Sequence, residues 1–295
     1  YYGGGDYAGM LKTVYPKIKA ANPEAQVLVG GLLLDCDPVN PPAGKNCTPS
    51  KYLEGILQNG GGSYFDGVSF HAYDFYNSTY NTYGSPNWNS GRWANETDGE
   101  LKPVLIAKVS YLKNLLNSYG ASNKFLINTE VALLCGGGSD PPGGAGCESD
   151  PTSPYELLKA YYISQAYAAA IAEGLLGNIW YSPTGWRNSG LLNPDLSTRP
   201  AYDAYALARS TLKNATLLRT ITEYHDPNNV FGYEFSIDGR RIWVVWVLDG
   251  SSQTIALPAS SSSVSAWDAL GVSVDVSSGN LAIGALNTVY VEWIP

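Results

Sequence analysis

Apolar residues recur along the first two thirds of the chain in two alternating rhythms, which together predict a repeated strand-then-helix unit. From Asp6 to Ala21 they fall at Met10, Leu11, Val14, Tyr15 and Ile18, a helical spacing that closes at Asn22-Pro23. Gln26 to Leu34 is then almost continuously apolar, the pattern of a parallel strand buried on both faces. The unit repeats as helix Ser50 to Gln58, strand Asp66 to Tyr73, a long loop, helix Leu101 to Tyr119 and strand Lys124 to Glu130. Helix Tyr155 to Glu173, strand Asn178 to Ser182 and helix Ala201 to Lys213 complete the series. Such alternation implies a parallel sheet with right-handed crossovers.

Past Asn214 the rhythm changes to short strands and turns. Val230 to Ile237 and Arg241 to Leu248 flank Asp238-Gly239, a hairpin signal; a Ser-rich stretch, Val272 to Val276 and a last strand, Thr288 to Ile294, follow. The pattern divides the chain into an α/β part, residues 1–213, and an all-β part, residues 214–295, read as a sandwich.

Composition narrows the function classes. With a net charge of −8 and 18 Lys plus Arg, the basic footprint of a nucleic-acid binder is absent. No apolar run approaches the roughly 18 residues that cross a bilayer, so no membrane partner is expected. The sequence begins Tyr1-Tyr2-Gly3, without Met or a signal-like segment, and is expected to start after processing, after truncation or from an incomplete record.

Four cysteines fall as two local pairs, Cys36 with Cys47 and Cys135 with Cys147, each bracketing a Pro/Gly-rich loop. With no Cys-x-x-Cys and only His71 and His225 as imidazoles, disulfides are favoured over metal, and an oxidising, secreted setting follows. Asp35, Asp37, Asp140, Glu148 and Asp150 in these loops match no calcium spacing and read as a solvated rim. Asn46, Asn77, Asn95 and Asn214 head glycosylation sequons.

The candidate chemistry lies in Phe125-Leu126-Ile127-Asn128-Thr129-Glu130, an apolar run that delivers one carboxylate to the C-terminal end of its strand. In a parallel α/β barrel that end is the working face. Alone, such a Glu is as readily a salt-bridge partner as a catalyst. The preceding strand, however, ends Phe70-His71-Ala72-Tyr73 and the last ends Ile179-Trp180-Tyr181, setting an imidazole, a phenol and an indole at the same rim. The loop from Asp74 to Asp98 adds Phe75, Tyr76, Tyr80, Tyr83, Trp88 and Trp93 among small polar residues. It reads equally as a sugar-binding wall, with Trp88 and Trp93 foremost, or as self-packing aromatics. Trp186 follows the last strand and is a further ligand candidate, whereas His225 reads as turn chemistry.

Strands ending in Phe-His-Ala-Tyr, Asn-Thr-Glu and Trp, with Arg199-Pro200-Ala201-Tyr202-Asp203-Ala204-Tyr205 before the β part, resemble the C-terminal half of a retaining glycoside hydrolase of clan A, near families 39, 5 and 30. The resemblance implies an α/β fold of the (β/α)8 TIM-barrel type, of which this chain supplies strands 5–8 before the sandwich. It implies that Glu130 is the nucleophile, that Tyr73 holds it by a hydrogen bond, that His71 contacts sugar hydroxyls or the catalytic pair, and that Trp180 floors the reacting sugar. The substrate class is then a β-linked polysaccharide or oligosaccharide. Retention needs a second carboxylate about 5 to 5.5 Å from the nucleophile. In the clan it belongs to an Asn-Glu pair directly before the helix with which this chain begins. Asn95-Glu96 lies in a polar loop and reads as a decoy. The acid is therefore expected upstream of Tyr1, and the missing N-terminal half of the barrel becomes an expected partner.

Two readings compete with a glycosidase. A non-catalytic carbohydrate-binding or structural protein on the same scaffold is favoured by the unmatched acid. A cofactor-dependent α/β enzyme is disfavoured, because Gly60-Gly61-Gly62 and Gly136-Gly137-Gly138 lack the spacing of a phosphate loop; no cofactor is expected.

Overall fold

The computed structural model describes residues 3–88, 90, 91, 100–136, 147, 150–285 and 287–295. Helix α1 (Gly4–Ala21) leads into strand β1 (Leu28–Leu32), and a 3-10 turn at Thr48–Lys51 runs into α2 (Tyr52–Gln58). Strand β2 (Gly67–Asn77) folds back through β3 (Thr82–Ser85) and β4 (Ser90–Gly91) before α3 (Leu105–Ser118). Then follow β5 (Phe125–Cys135), α4 (Pro154–Ala172), β6 (Asn178–Trp180) and α5 (Pro200–Thr211).

β1, β2, β5 and β6 pair in that order, all parallel, as the repeat implies, and β3 and β4 extend the sheet beside the far end of β2. Two strands run longer than expected. β2 does not stop at Tyr73, because the alternation of buried Ala72, Asp74 and Tyr76 with half-buried His71, Tyr73 and Phe75 continues into a hairpin. β5 likewise passes Glu130, since Val131 to Leu134 are apolar and fully enclosed. The expected long loop is thus partly sheet, with Tyr76 and Tyr83 buried in it.

The C-terminal part is β7 (Thr216–Ile221), β8 (Val230–Ile237), β9 (Arg240–Val247), β10 (Gln253–Ala256), β11 (Val264–Asp268), β12 (Asn280–Ile283) and β13 (Thr288–Trp293). Five of these form an antiparallel sheet ordered β11-β13-β9-β8-β7, and β10 pairs with β12. Residues 272–276, expected as a strand, contribute only an isolated bridge from Ser273 to Trp267. One face of the five-stranded sheet packs with β10 and β12 around Trp243, Val245, Leu281 and Val291. The other joins the main core through Tyr233, Phe235, Val244, Trp246 and Tyr290. Gln165 of α4 donates to Thr288 Oγ1 (2.9 Å), and the Trp246 indole donates to Leu101 O (2.6 Å). The two parts therefore share one core across the change of rhythm near residue 214.

Candidate active site

The site is built on the half-buried face of β2 and on a bulge in β5. Phe70 lies opposite Asn128 and His71 lies opposite Glu130, so Thr129 is extra. A bulge of this kind re-aims the side chain that follows it. Buried Asn128 staples the irregularity: with its amide nitrogen turned to the main chain it donates to Phe70 O (3.0 Å) and Glu130 O (2.9 Å). Glu130 thereby faces the same side as His71 and Tyr73.

One carboxylate oxygen, Glu130 Oε2, receives both neighbours. The Tyr73 hydroxyl donates to it, and His71 Nδ1 lies 3.3 Å away. Burial, together with the hydrogen bond and charge of Glu130 and the nearby Tyr181, raises the Tyr73 pKa above the usual phenol range, so Tyr73 remains a donor. Burial, aided by the Lys108 ammonium, lowers the His71 pKa against the opposing pull of Glu130. A lowered imidazole pKa favours the neutral ring, whose Nδ1 stands beside the carboxylate. The imidazole is seated on Gly31: a Cβ there would come within 2.2 Å of His71 Nε2. Gly31 also lines a cavity of about 310 Å³ along β1, walled by Tyr7, Leu33, Asp35 and Tyr52.

Behind this face, Asp74 is fully buried. It accepts from the Val104 amide (2.8 Å) at the start of α3 and from the Tyr162 hydroxyl (2.9 Å) of α4.

β6 brings a different aromatic from the one expected. Trp180 is in register with Val131, one residue past Glu130, so it lies on the opposite face of the sheet. It is 8% exposed, meets Tyr162 of α4 (centroids 6.2 Å) and donates its indole N–H to Ser189 O (2.9 Å). Tyr181, the next residue, has its ring 6.0 Å from that of Tyr73.

The other tryptophans divide. Trp186 is 56% exposed in the loop after β6, flanked by Arg187, whose guanidinium lies 5.3 Å from its ring and 5.9 Å from that of Phe75. That loop is fixed from within by Lys159, which donates to Asn188 O (2.8 Å), Gly190 O (3.0 Å) and buried Glu156. Trp88, expected in a sugar wall, is instead buried: its N–H donates to Leu34 O (2.7 Å) and its ring meets Tyr111. Trp93 and Asn95-Glu96 lie outside the described residues.

Cys36–Cys47 and Cys135–Cys147 are disulfides. Asp35 pairs with Lys45 (3.0 Å), Asp37 caps the Val39 amide and Asp150 caps the Thr152 amide; Asp140 and Glu148 lie outside the described residues. Among the described residues no cluster of three metal-ligating side chains occurs, and no helix is long and apolar enough to cross a membrane. His225 pairs with Glu100 (3.3 Å) at a turn before β8.

Tyr181, Gly31 and Arg187 are the members that sequence reasoning passed over. A two-residue count from Ile179 separates Tyr181 from Trp180 but does not say which faces the site, and Gly31 shows no motif.

No protein-family model and no curated protein matches the chain. Solved structures do. A family 39 glycoside hydrolase from the gut symbiont Bacteroides cellulosilyticus WH2 aligns over 98% of this chain and 55% of its own, with TM-score 0.66 and 21% identity. BuGH86, solved in complex with neoagarooctaose, aligns over 99% of this chain and 46% of its own (TM-score 0.62, 10% identity). AbfB, a family 51 α-L-arabinofuranosidase from Bifidobacterium longum, aligns over 99% and 64% (TM-score 0.57, 12% identity). The chain thus has the fold of part of these glycoside hydrolases and spans about half to two thirds of their length.

Proposed function

We propose that the chain carries the nucleophile side of a secreted retaining glycoside hydrolase acting on β-glycosidic bonds in a polysaccharide or oligosaccharide. The observation that carries the reading is the convergence on one oxygen of Glu130 of the Tyr73 hydroxyl, which donates to it, and of His71 Nδ1, 3.3 Å away, at the half-buried face of a parallel sheet. Glu130 attacks the anomeric carbon as the glycosidic bond breaks, giving a covalent glycosyl-enzyme. Water then attacks that carbon and releases Glu130. The two side chains orient the carboxylate and take up its charge once the intermediate collapses. Tyr181 and exposed Trp186 offer rings to the apolar faces of sugar units.

The general acid is proposed to be a Glu on a strand preceding α1, beside the edge of β1 that Gly31 and Leu33 line. That strand would belong to the first half of a (β/α)8 barrel, of which β1, β2, β5 and β6 are strands 5–8. Two disulfides and the fold of glycoside hydrolases support an extracellular setting.

An activated 2-fluoro aryl glycoside tests the reading, because its leaving group needs no protonation. Across β-gluco, β-xylo and β-galacto probes, one is expected to add its glycosyl mass at Glu130, and Glu130→Gln to remain unlabelled. Saccharide binding with no labelling by any probe would favour the alternative, a non-catalytic carbohydrate-binding protein. The observation behind that alternative is that the two side chains against Glu130, Tyr73 and His71, are not carboxylic acids.

A further inference from the structure

Lys108 occupies the first turn of α3, on the helix side of the sheet, and is 4% exposed. Its Nζ donates to the main-chain oxygens of Leu33 (3.0 Å) and His71 (2.9 Å), and the Trp88 ring lies 5.7 Å away. One buried cation therefore ties the chain just after β1 to the residue of β2 that faces Glu130. His71 has a neighbour on three sides: Glu130 Oε2 lies 3.3 Å from its Nδ1, Gly31 faces its Nε2 edge, and Lys108 donates to its carbonyl oxygen.

We propose that Lys108 is a positioning residue for the Glu130 site, fixing β2 at His71 and setting a buried positive charge behind the imidazole. This rests on the glycosidase reading for its functional meaning. A protonated His71 would form an ion pair with Glu130 and draw charge from the nucleophile, whereas a neutral one orients it and leaves the charge in place. A methionine here would fill the space but leave the Leu33 and His71 carbonyl oxygens without their donor, so the lysine serves these contacts rather than packing alone. The groups facing Lys108 are Asp74 of β2 and Asp35 of the loop after β1, which attract it from a distance; those facing His71 are Glu130 and Tyr73. Burial pushes Lys108 down to about 7, so the device is sensitive to mild alkali.

The chain has two histidines, which makes the test direct. Histidine NMR titration from about pH 4 to about pH 9 covers the imidazole range, and His71→Asn assigns the signals. In the unaltered chain and in Asp74→Asn alike, His71 is expected to titrate below the ordinary imidazole value, with a second, smaller inflection as Lys108 loses its proton. Lys108→Met should move the His71 midpoint upward and leave His225 where it was, while Lys108→Arg should restore the low midpoint. An unmoved His71 midpoint in a folded Lys108→Met chain overturns the proposal. Should that variant not fold, a single-step His71 curve in the unaltered chain overturns it equally. Neither readout needs a substrate. Failure of every glycoside probe together with the expected titration would remove the hydrolase reading while leaving the electrostatic role of Lys108 intact.

Discussion

Tyr73 and Glu130 meet across a diagonal: the residue in register with Glu130 is His71, and Tyr73 lies opposite Ala132. The bulge at Thr129 and the length of the phenol make the contact possible, with the shorter imidazole filling the direct position. Two side chains of different reach thus fit one carboxylate oxygen. Tyr73→Phe keeps the ring packing against Tyr181 and removes only the donor. A hydrogen bond to a charged acceptor contributes about 1.5–3 kcal/mol, so kcat/KM on an activated aryl glycoside should fall by roughly tenfold to a hundredfold. An unchanged rate would show that the contact is incidental.

Gly31→Ala tests the seat of the imidazole. The added methyl falls 2.2 Å from His71 Nε2, so the ring must leave its place or β1 must shift. A loss of activity of about tenfold or more is expected, as for a misplaced catalytic contact, with a changed His71 chemical shift. Normal activity and an unmoved His71 signal would mean that β1 yields and the ring stays.

Where the sequence was legible, one face of each element was decided by apolar periodicity alone. The four parallel strands, their helices and the rim of His71, Tyr73 and Glu130 were readable because long buried strands leave continuous apolar runs. The bulge at Thr129 was not, because it is set by pairing with β2 and by Asn128, neither visible in local pattern. Nor was the face of Trp180, which lies opposite Glu130 because it is in register with Val131, a pairing that the local pattern of β6 does not display. β10 and β12 escaped for a different reason, since only Ile255, Leu281 and Ile283 turn inward and the rest of those short strands is exposed.

Asp74 and Lys108 should leave opposite marks on stability. Burial raises Asp74 from 3.8 to about 7, so between those values the folded chain holds a proton that the unfolded chain lacks, and stability falls as pH rises. Burial lowers Lys108 from 10.5 to about 7, so above about 7 the unfolded chain binds the extra proton and stability rises with pH. Together they place a minimum near neutrality, measurable as Tm against pH. Asp74→Asn should flatten the acid-side fall and Lys108→Met the alkaline-side rise. A wild-type profile without a minimum, unaffected by either change, would contradict the assignment.

The two aromatic residues at the end of β6 separate support from contact. Trp180→Phe removes the N–H bond to Ser189 O and part of a buried ring, and should destabilise the fold by about 1–3 kcal/mol, read by denaturant unfolding. Saccharide affinity should change little, since that ring lies on the helix side. Tyr181→Ala should do the reverse: its ring stands beside Tyr73, and one stacked aromatic contact contributes about 0.5–1.5 kcal/mol, several-fold in affinity by titration calorimetry. Stability should fall less than in Trp180→Phe, because Tyr181 is only half buried. If instead Trp180→Phe lost the affinity and Tyr181→Ala lost the stability, the face assignment of β6 would have to be inverted.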